Sequence, residues 1–341
     1  MKKRICALLA AGLLLLGGCR QEPVEGSVFA MDTLMSYTLY GEEEPARAVG
    51  LEIPRQLETL ESLLSATREE SDVVRINRAG GEPVELAGCT EELLSQALGL
   101  CRVTGGALDI TAYPAVKAWG FTAGEHRIPS PSRLEELAGQ IDYAAVGLEG
   151  NRVILPAGME LDLGAVAKGY AGDWLNRIVR DAGVTSALLD LGQSTTVAVG
   201  SKPGGKPWRI GVVDPAKPGT CFAVVELQDM AMGTSGGYQR YFEQDGVVYW
   251  HILDPKTAAP ARSGLASVTV VAPSALTCDG LSTALFVMGL EEGAQFWRDH
   301  PELEFEAVFV TETGEIFRTA GLEGRFSLAA GYENREVTVL E

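Results

Sequence analysis

The sequence predicts a single, bilobed α+β domain with a mixed, largely antiparallel sheet and packed helices. Helical and strand-like patterns alternate irregularly, which disfavours a doubly wound parallel sheet. Turn signals of the kind that join antiparallel strands are frequent. No internal repeat or low-complexity linker divides the 341 residues, so the predicted domain covers residues 27–341.

Four segments carry apolar residues at helical spacing. These predicted helices cover residues 45–64, 90–103, 165–182 and 274–288. Thr90 is the expected N-cap of the second helix, and Pro273 with Ser274 opens the fourth. Gly183 and Gly289 are expected to end the third and fourth helices.

The other patterned segments are strand-like. They cover residues 27–40, 143–148, 152–155, 241–244, 247–253 and 266–271, with further strand segments around Gly192 within residues 185–200. Glu149-Gly150-Asn151 and Asp245-Gly246 each predict a β-hairpin.

The N-terminus has the pattern of a secretory leader. A cationic start at residues 2–4 precedes an apolar run over 5–16, which is shorter than the about 20 residues of a membrane-spanning helix. The ending Leu-Gly-Gly before Cys19 resembles a bacterial lipobox. We expect a signal peptide over 1–18, lipidation of Cys19 and a tether over 19–26, so that the chain is anchored to the membrane outside the cytoplasm. A plain signal peptide and an uncleaved anchor are the alternatives.

The chain is acidic, with a formal charge of −18 that becomes −21 when the three cationic leader residues are removed. This balance argues against nucleic acid as a general partner, and any anionic ligand needs a local cation. The absence of a Cys-x-x-Cys pair and the presence of only three His argue against a structural zinc site. Cys89, Cys101, Cys221 and Cys278 either form disulfides or remain free thiols.

The fourth predicted helix carries two oxygen ligands. Asp279 and Thr283 are four residues apart and therefore share one helix face. Hard oxygen ligands suit Mg²⁺, which usually takes only one or two protein carboxylates together with substrate phosphates. The flanking residues are mostly apolar, so Asp279 must be paired, hydrogen-bonded or metal-bound. The alternative is a solvated helix edge with a packing hydroxyl.

Two further segments suit proton transfer and anion binding. His251 ends a predicted hairpin strand, and imidazole titrates near neutrality, which makes it the best candidate for a base. Residues 160–170 pass from an acidic strand end into a helix, where backbone N–H groups and Lys168 can face an anion. A structural histidine and a solvated lysine are the alternatives. The chain contains no dinucleotide-binding or P-loop motif.

In this order the segments resemble the ApbE-type family of FAD:protein FMN transferases, which are commonly exported and lipidated. The resemblance spans residues 27–320 and is carried by Met31-Asp32-Thr33, residues 71–77, Asp109-Ile110-Thr111, residues 162–170, Leu189-Asp190-Leu191-Gly192, Thr234-Ser235-Gly236, residues 251–260 and residues 278–285. It implies an ApbE-like fold and the transfer of FMN from FAD to a Thr or Ser hydroxyl of an acceptor flavoprotein, with release of AMP.

The resemblance also implies roles for single residues. Mg²⁺ would be held by Asp279, Thr283 and the backbone carbonyl of Ala165. His251 would deprotonate the acceptor hydroxyl. The flavin nucleotide would be contacted by Met31, Thr67, Ala107, Leu108, Asp109, Asp162, Lys168, Leu253 and Ser282. The implied acceptors are redox-pump subunits and flavin-bearing lipoproteins.

This chain departs from the family pattern at four positions. Gln193 and Ala258 replace glycines. Thr67 replaces an aromatic residue that could stack on the flavin or the adenine, and Cys278 replaces an alanine. Two other functions would use the same residues: a Mg²⁺-dependent FAD pyrophosphatase that releases FMN and AMP, and a non-catalytic flavin-binding lipoprotein. A flavinylated carrier is disfavoured because the acceptor tetrapeptide Ser/Thr-Gly-Ala-Thr/Ser does not occur.

Overall fold

A nine-stranded sheet runs through the centre of the computed structural model, which describes residues 22–122 and 125–341. The predicted signal peptide, Cys19 and the first part of the tether lie outside the described residues. The strands are β1 (Val24–Ala30), β2 (Thr33–Tyr40), β3 (Val84–Glu85), β4 (Gly147–Glu149), β5 (Arg152–Ile154), β6 (Ser186–Asp190), β7 (Thr195–Val199), β8 (Trp208–Val213), β9 (Cys221–Leu227), β10 (Met230–Gly236), β11 (Tyr241–Gln244), β12 (Val247–Trp250), β13 (Leu253–Asp254), β14 (Ala259–Pro260), β15 (Leu265–Ala272), β16 (Glu306–Thr311), β17 (Ile316–Thr319), β18 (Phe326–Leu328) and β19 (Val337–Leu340). The helices are α1 (Glu43–Leu64), α2 (Asp72–Arg78), α3 (Gly88–Val103), α4 (Tyr113–Trp119), α5 (Pro131–Ala138), α6 (Ala167–Asp181) and α7 (Ala275–Asp299).

The large sheet has the strand order β1-β2-β6-β7-β10-β15-β16-β17-β19. Its neighbouring strands are antiparallel, except that β17 and β19 are parallel. Smaller sheets are formed by β18-β9-β8, β3-β5-β4, β11-β12 and β13-β14. The predicted α+β class and the mixed, largely antiparallel sheet are therefore confirmed.

Side chains of the large sheet alternate between two cores on its opposite faces. In β15, Val268 and Val270 pack into the core that the sheet forms with α1, α6 and α7. Val271, the next residue along the strand, instead packs with residues of β8 and β9 on the other face. The helix-covered core is the larger of the two, and it contains the parts of α6 and α7 from which the candidate site is built.

The predicted helices are confirmed, with one error at a helix start. α1 buries all five apolar positions that predicted it, namely Val49, Ile53, Leu57, Leu60 and Leu64. Thr90 is not the N-cap of α3: Ala87 has the extended N-cap conformation, and the helix begins at Gly88. The reason is burial, because the Thr90 side chain is fully buried in the first turn instead of lying at the helix end.

The region over residues 27–40 is a hairpin, where the sequence predicted only a strand region. Met31 and Asp32 have φ values of 49° and 59°, so the chain reverses between β1 and β2 in the left-handed conformation. Glycine usually occupies such positions, and its absence here concealed the turn. The two predicted hairpins are confirmed as β4–β5 and β11–β12, but the first predicted strand, residues 143–148, begins only at Gly147, after a 3₁₀ turn over Tyr143–Ala145. The second strand of the β11–β12 hairpin ends at Trp250, before the predicted end at residue 253.

Helix α7 begins and breaks as predicted but continues beyond the break. Ser274 is its N-cap and accepts a hydrogen bond from the Thr277 N–H. At Gly289 the backbone leaves the helical conformation, with φ 84° and ψ 180°. A further helical segment then runs to Asp299, because apolar residues such as Phe296 continue to face the core.

No helix within residues 22–122 and 125–341 has the length and apolar character needed to cross a membrane. Cys89, Cys101, Cys221 and Cys278 are free thiols, which decides between the two states that the sequence left open.

Candidate active site

The N-terminal ends of α6 and α7 meet in close contact. The Asp173 carboxylate of α6 accepts hydrogen bonds from the Ser274 hydroxyl and from the next two backbone N–H groups, at 2.7–3.0 Å. This carboxylate satisfies free N–H groups at the start of α7 and complements the helix dipole. A Cβ atom on Gly169 would lie 2.3 Å from the Ala275 carbonyl oxygen, so only glycine fits there. The contact places Asp279 of α7 beside the first turn of α6.

Both carboxylate oxygens of Asp279 are held. Oδ1 accepts a hydrogen bond of 2.6 Å from the Thr195 hydroxyl, and Oδ2 accepts one of 2.6 Å from the Gly169 N–H. Asp279 is only 8% exposed, and burial raises its pKa to about 6 against the opposing effect of the Lys168 charge. A buried carboxylate with two neutral donors is an environment that favours a bound cation.

Thr283 lies one helical turn beyond Asp279 and is partly exposed. Its hydroxyl oxygen is 3.1 Å from Ser235 Oγ, which in turn is 2.8 Å from Ser282 Oγ. The Ser282 hydroxyl donates to the backbone carbonyl of Asp279 over 3.0 Å. Through Ser235, strand β10 is therefore tied to the face of α7 that carries the predicted metal ligands.

The start of α6 offers a third oxygen. The Gly169 N–H donates to Asp279, and it does not close a helical hydrogen bond to the carbonyl of Ala165. Asp279, Thr283 and Ala165 together offer a carboxylate, a hydroxyl and a carbonyl, which is a donor set that fits Mg²⁺. Among the described residues, no group of three or more His, Cys, Asp or Glu side chains is arranged to bind a metal.

His251 directly follows β12 and pairs with Arg240. The His251 backbone N–H donates to the Arg240 carbonyl oxygen, and Nδ1 of the ring is 3.1 Å from the same oxygen. Because a carbonyl can only accept, Nδ1 carries the proton and Nε2 has the free lone pair. Burial lowers the pKa of His251 to about 4, and the charges of Arg240 and Lys168 act in the same direction. The ring is therefore neutral at pH 7, as a base must be.

Asp162 lies on a segment that Asn77 braces. The Asn77 side chain donates to the Leu161 carbonyl over 2.9 Å and accepts from the Leu161 N–H over 2.6 Å. Burial raises the pKa of Asp162, while the charges of Arg240 and Lys168 lower it. The charges of the same two cations therefore act on both Asp162 and His251.

Lys168 connects the predicted metal side of the site with the predicted base. Its charge lowers the pKa values of Asp279, Asp162 and His251. Lys168 is therefore within electrostatic range of all three groups. An anionic ligand bound at Lys168 would therefore meet the same positive charge that acts on the predicted metal carboxylate and on the predicted base.

The other predicted flavin contacts lie in different settings. Met31 occupies the turn between β1 and β2, and Thr67 is exposed after the end of α1. Ala107 is partly exposed, whereas the side chains of Leu108 and Leu253 are buried in hydrophobic cores. Ser282 is also buried, and its hydroxyl is used within α7.

The Asp109 carboxylate holds its own loop together. Oδ1 accepts hydrogen bonds from the backbone N–H and the hydroxyl of Thr111, and Oδ2 accepts one from the Tyr143 N–H. Burial raises the pKa of Asp109 against these three hydrogen bonds. These hydrogen bonds fix the loop, and both oxygens of the carboxylate already have a donor.

Gln193 and Ala258, which the resemblance matched to glycine positions, both have a backbone conformation that favours glycine. Gln193 has φ 65° and Ala258 has φ 54°. The Gln193 N–H donates to Asp190 Oδ1, and the Ala258 carbonyl accepts from the Trp119 indole N–H. These hydrogen bonds hold a left-handed conformation that costs about 1–2 kcal/mol for a residue with a Cβ atom.

Sequence reasoning missed three residues of the site. Thr195 holds the Asp279 carboxylate, Arg240 holds and polarises His251, and Asp173 joins α6 to α7. The only available signal was position: Thr195 follows the Gly192 motif, and Arg240 follows Thr234-Ser235-Gly236. No local pattern distinguishes these residues from surface polar residues.

Comparison with known proteins points to one family. The model of the ApbE family matches residues 31–309. The FAD:protein FMN transferase of Treponema pallidum (strain Nichols) is 32% identical over 342 residues, covering 94% of this chain and 93% of the relative. The crystal structure of the ApbE protein from Thermotoga maritima superimposes with a TM-score of 0.84 at 33% identity, covering 89% of this chain and 99% of the other. The apo flavinyl transferase ApbE of Pseudomonas stutzeri gives a TM-score of 0.78 at 29% identity, covering 92% and 96%.

Proposed function

Since the chain belongs to the ApbE family of enzymes, we propose that it transfers FMN from FAD to a Thr or Ser hydroxyl of an acceptor flavoprotein in a Mg²⁺-dependent reaction that releases AMP. One observation carries the proposal: the buried Asp279 carboxylate is held by Thr195 and Gly169 beside the first turn of α6, which also carries the cation Lys168, whose charge acts on Asp162 and His251 as well. A diphosphate bound at this cation would have a metal-binding carboxylate and a neutral base beside it. That combination suits phosphoryl transfer to a hydroxyl.

In the proposed reaction, the acceptor hydroxyl oxygen attacks the phosphorus of the FMN half of FAD. Nε2 of His251 takes the hydroxyl proton as the new O–P bond forms. The bond between that phosphorus and the bridging oxygen breaks, and AMP leaves with the electron pair. The proton on His251 then passes to solvent, which restores the neutral ring.

Residues of this chain act on the two reacting groups, the diphosphate of FAD and the His251 base. Lys168 would supply local positive charge to the diphosphate, which the net charge of −18 would otherwise repel. The Arg240 carbonyl keeps the imidazole in the Nδ1–H tautomer, so Nε2 is the proton acceptor. The low pKa of His251 keeps the ring unprotonated before the acceptor arrives.

Asp279, Thr283 and the Ala165 carbonyl are the groups that would hold Mg²⁺. When bound, Mg²⁺ would stabilise the negative charge on the phosphate oxygens. Thr195 and Gly169 orient the Asp279 carboxylate from two sides, so its direction is fixed before any ligand binds.

We also propose that a lipid on Cys19 anchors the chain to the membrane outside the cytoplasm. Redox-pump subunits and flavin-bearing lipoproteins are the acceptors to expect there. Metabolic labelling with an alkyne-bearing fatty acid tests the anchor. The wild-type chain should be labelled and membrane-bound, and Cys19→Ala should be unlabelled; labelling of Cys19→Ala would contradict the assignment.

The transfer itself is tested with purified protein, FAD, Mg²⁺ and an acceptor domain that carries the tetrapeptide Ser/Thr-Gly-Ala-Thr/Ser. Mass spectrometry should find the FMN mass on the acceptor, with one AMP released per label. Release of AMP without acceptor labelling would instead support the pyrophosphatase. FAD binding without either product would support a flavin-binding lipoprotein.

A further inference from the structure

Ser235 contacts a predicted metal ligand without being one itself. We propose that Ser235 is a positioning residue, which fixes the direction of the Thr283 hydroxyl proton and so turns the Thr283 lone pairs toward the cation. The inference rests on the proposed function, because it takes Thr283 as a ligand of the divalent cation. Its basis is a chain of four hydrogen-bonding groups whose direction follows if the Ser282 hydroxyl donates to the backbone carbonyl of Asp279.

The direction follows from the carbonyl at one end of the chain. The backbone carbonyl of Asp279 can only accept, so the Ser282 hydroxyl spends its single proton on it. Ser282 Oγ must then accept from Ser235, at 2.8 Å. Ser235 has used its own proton and must accept at its remaining contact, which is with Thr283 at 3.1 Å. Thr283 is therefore the donor.

This direction matters for the cation. A hydroxyl ligand binds a cation through an oxygen lone pair, so its proton has to point elsewhere. In the absence of Ser235, the Thr283 hydroxyl can donate to the carbonyl four residues earlier, as helical threonines often do. That rotation would move the lone pairs away from the direction that Ser235 sets.

The position of Ser235 is itself fixed. Its strand β10 lies in the middle of the large sheet, paired with both β7 and β15. Ser235 is 9% exposed and Ser282 is 1% exposed, so water does not readily replace either hydroxyl. Thr234, the preceding residue, points to the opposite face and contacts the Thr269 hydroxyl at 2.9 Å. Thr234 is thus a matched control on the same strand.

Direct binding of Mn²⁺, followed by the electron paramagnetic resonance signal of the free ion, tests the inference. The titrations use the full chain without added nucleotide, because a free diphosphate would itself bind Mn²⁺ and remove the signal of the free ion. The proteins are wild type, Ser235→Ala, Ser282→Ala, Thr234→Val and Asp279→Asn. Ser235→Ala should weaken Mn²⁺ binding roughly 10-fold, as expected for loss of a group that orients a ligand. Thr234→Val should stay within about twofold of wild type.

Ser282→Ala changes the direction of the hydrogen bonds but keeps the Ser235 side chain in place. It also provides a second test if Ser235→Ala does not fold. Removal of Ser282 leaves the Ser235 proton without its acceptor. Ser235 can then donate to Thr283, which reverses the proposed direction of that hydrogen bond. We expect a weakening of about threefold to 10-fold. Wild-type Mn²⁺ affinity in folded Ser235→Ala, or in Ser282→Ala, would overturn the inference while leaving the metal site in place. If wild type and Asp279→Asn bind Mn²⁺ equally, the proposed metal site fails and this inference fails with it.

Discussion

The two sides of the candidate active site are built in different ways. On the metal side, Asp279 is held by a hydroxyl and a backbone N–H, and Thr283 is tied to the central sheet. On the base side, one carbonyl oxygen holds the His251 ring. The adjoining β11–β12 hairpin is a two-stranded sheet of its own, and Tyr241 on it is 52% exposed. One side is fixed within the core, whereas the buried His251 on the other side adjoins a hairpin that is open to solvent.

The difference matches the two substrates of the proposed reaction. FAD presents the same diphosphate in every turnover, so fixed ligands can be aimed at it in advance. A protein acceptor has to bring its hydroxyl to His251, and an open side leaves room for that approach. The following predictions test this division of roles, from the largest expected effect to the smallest.

Removal of the metal-side charge should have the largest effect. Asp279→Asn keeps the size of the side chain but loses its charge, and its NH₂ group cannot accept the hydrogen bond that Gly169 or Thr195 donates. Transfer of FMN to the acceptor should fall roughly 10⁴-fold, measured as the initial rate of labelling. Asp229→Asn is the control, because Asp229 pairs with Arg180 near the C-terminal end of α6, the end away from the site. Labelling by Asp279→Asn within about 10-fold of wild type would contradict the metal role.

Removal of the base should slow transfer and leave FAD bound. His251→Asn should reduce acceptor labelling roughly 10³-fold, because proton transfer by a positioned base contributes about 10²–10⁴. The dissociation constant for FAD, measured by flavin fluorescence, should change less than about threefold, which is under 1 kcal/mol. His300→Asn is the control, because His300 pairs with Glu302 away from the site. Equal losses of FAD binding and labelling would show that the two sides are not separate.

The rigidity of the metal side can be tested by stability. Gly169→Ala places a Cβ atom 2.3 Å from the Ala275 carbonyl oxygen and should lower the free energy of unfolding by roughly 2–4 kcal/mol. Gly99→Ala is the matched control, since nothing lies within 4 Å of the added Cβ atom in α3. Gly99→Ala should raise stability by about 0.5–1 kcal/mol because alanine favours a helix. Urea unfolding of both variants measures this, and similar values for the two would refute close packing at Gly169.

Local patterns predicted the parts of the fold that depend on local rules. The apolar spacing of α1 identified the five large apolar residues that the helix buries, and Asp245-Gly246 identified its hairpin. The pairing of β2 with β6, and of β10 with β7, joins distant segments whose sequences carry no pairing signal. The left-handed turn at Met31 was missed because the residue type gives no hint of it.

The candidate site likewise has one part that local spacing predicts and another that depends on contacts between distant segments. The four-residue spacing of Asp279 and Thr283 is enough to place two oxygens on one helix face. The groups that hold Asp279 lie far away in sequence: Thr195 is 84 residues from it, and Gly169 is 110 residues away. Such contacts arise from the packing of α6 and β7 against α7, which no local pattern encodes.

The last prediction, with the smallest expected effect, concerns the pKa of His251 in the folded and the unfolded protein. Burial lowers its pKa to about 4, below the ordinary value of about 6.5 for a histidine. Between these pH values the folded protein keeps the ring neutral, whereas the unfolded chain protonates it, so acid destabilises the fold through this residue. The C2–H proton of His251, identified by its loss in His251→Asn, should titrate near pH 4 in the folded protein and near pH 6.5 in urea. A folded midpoint near 6.5 would mean that water reaches the ring freely, and that the neutral state of the base depends on bound FAD and acceptor instead of on burial within the protein.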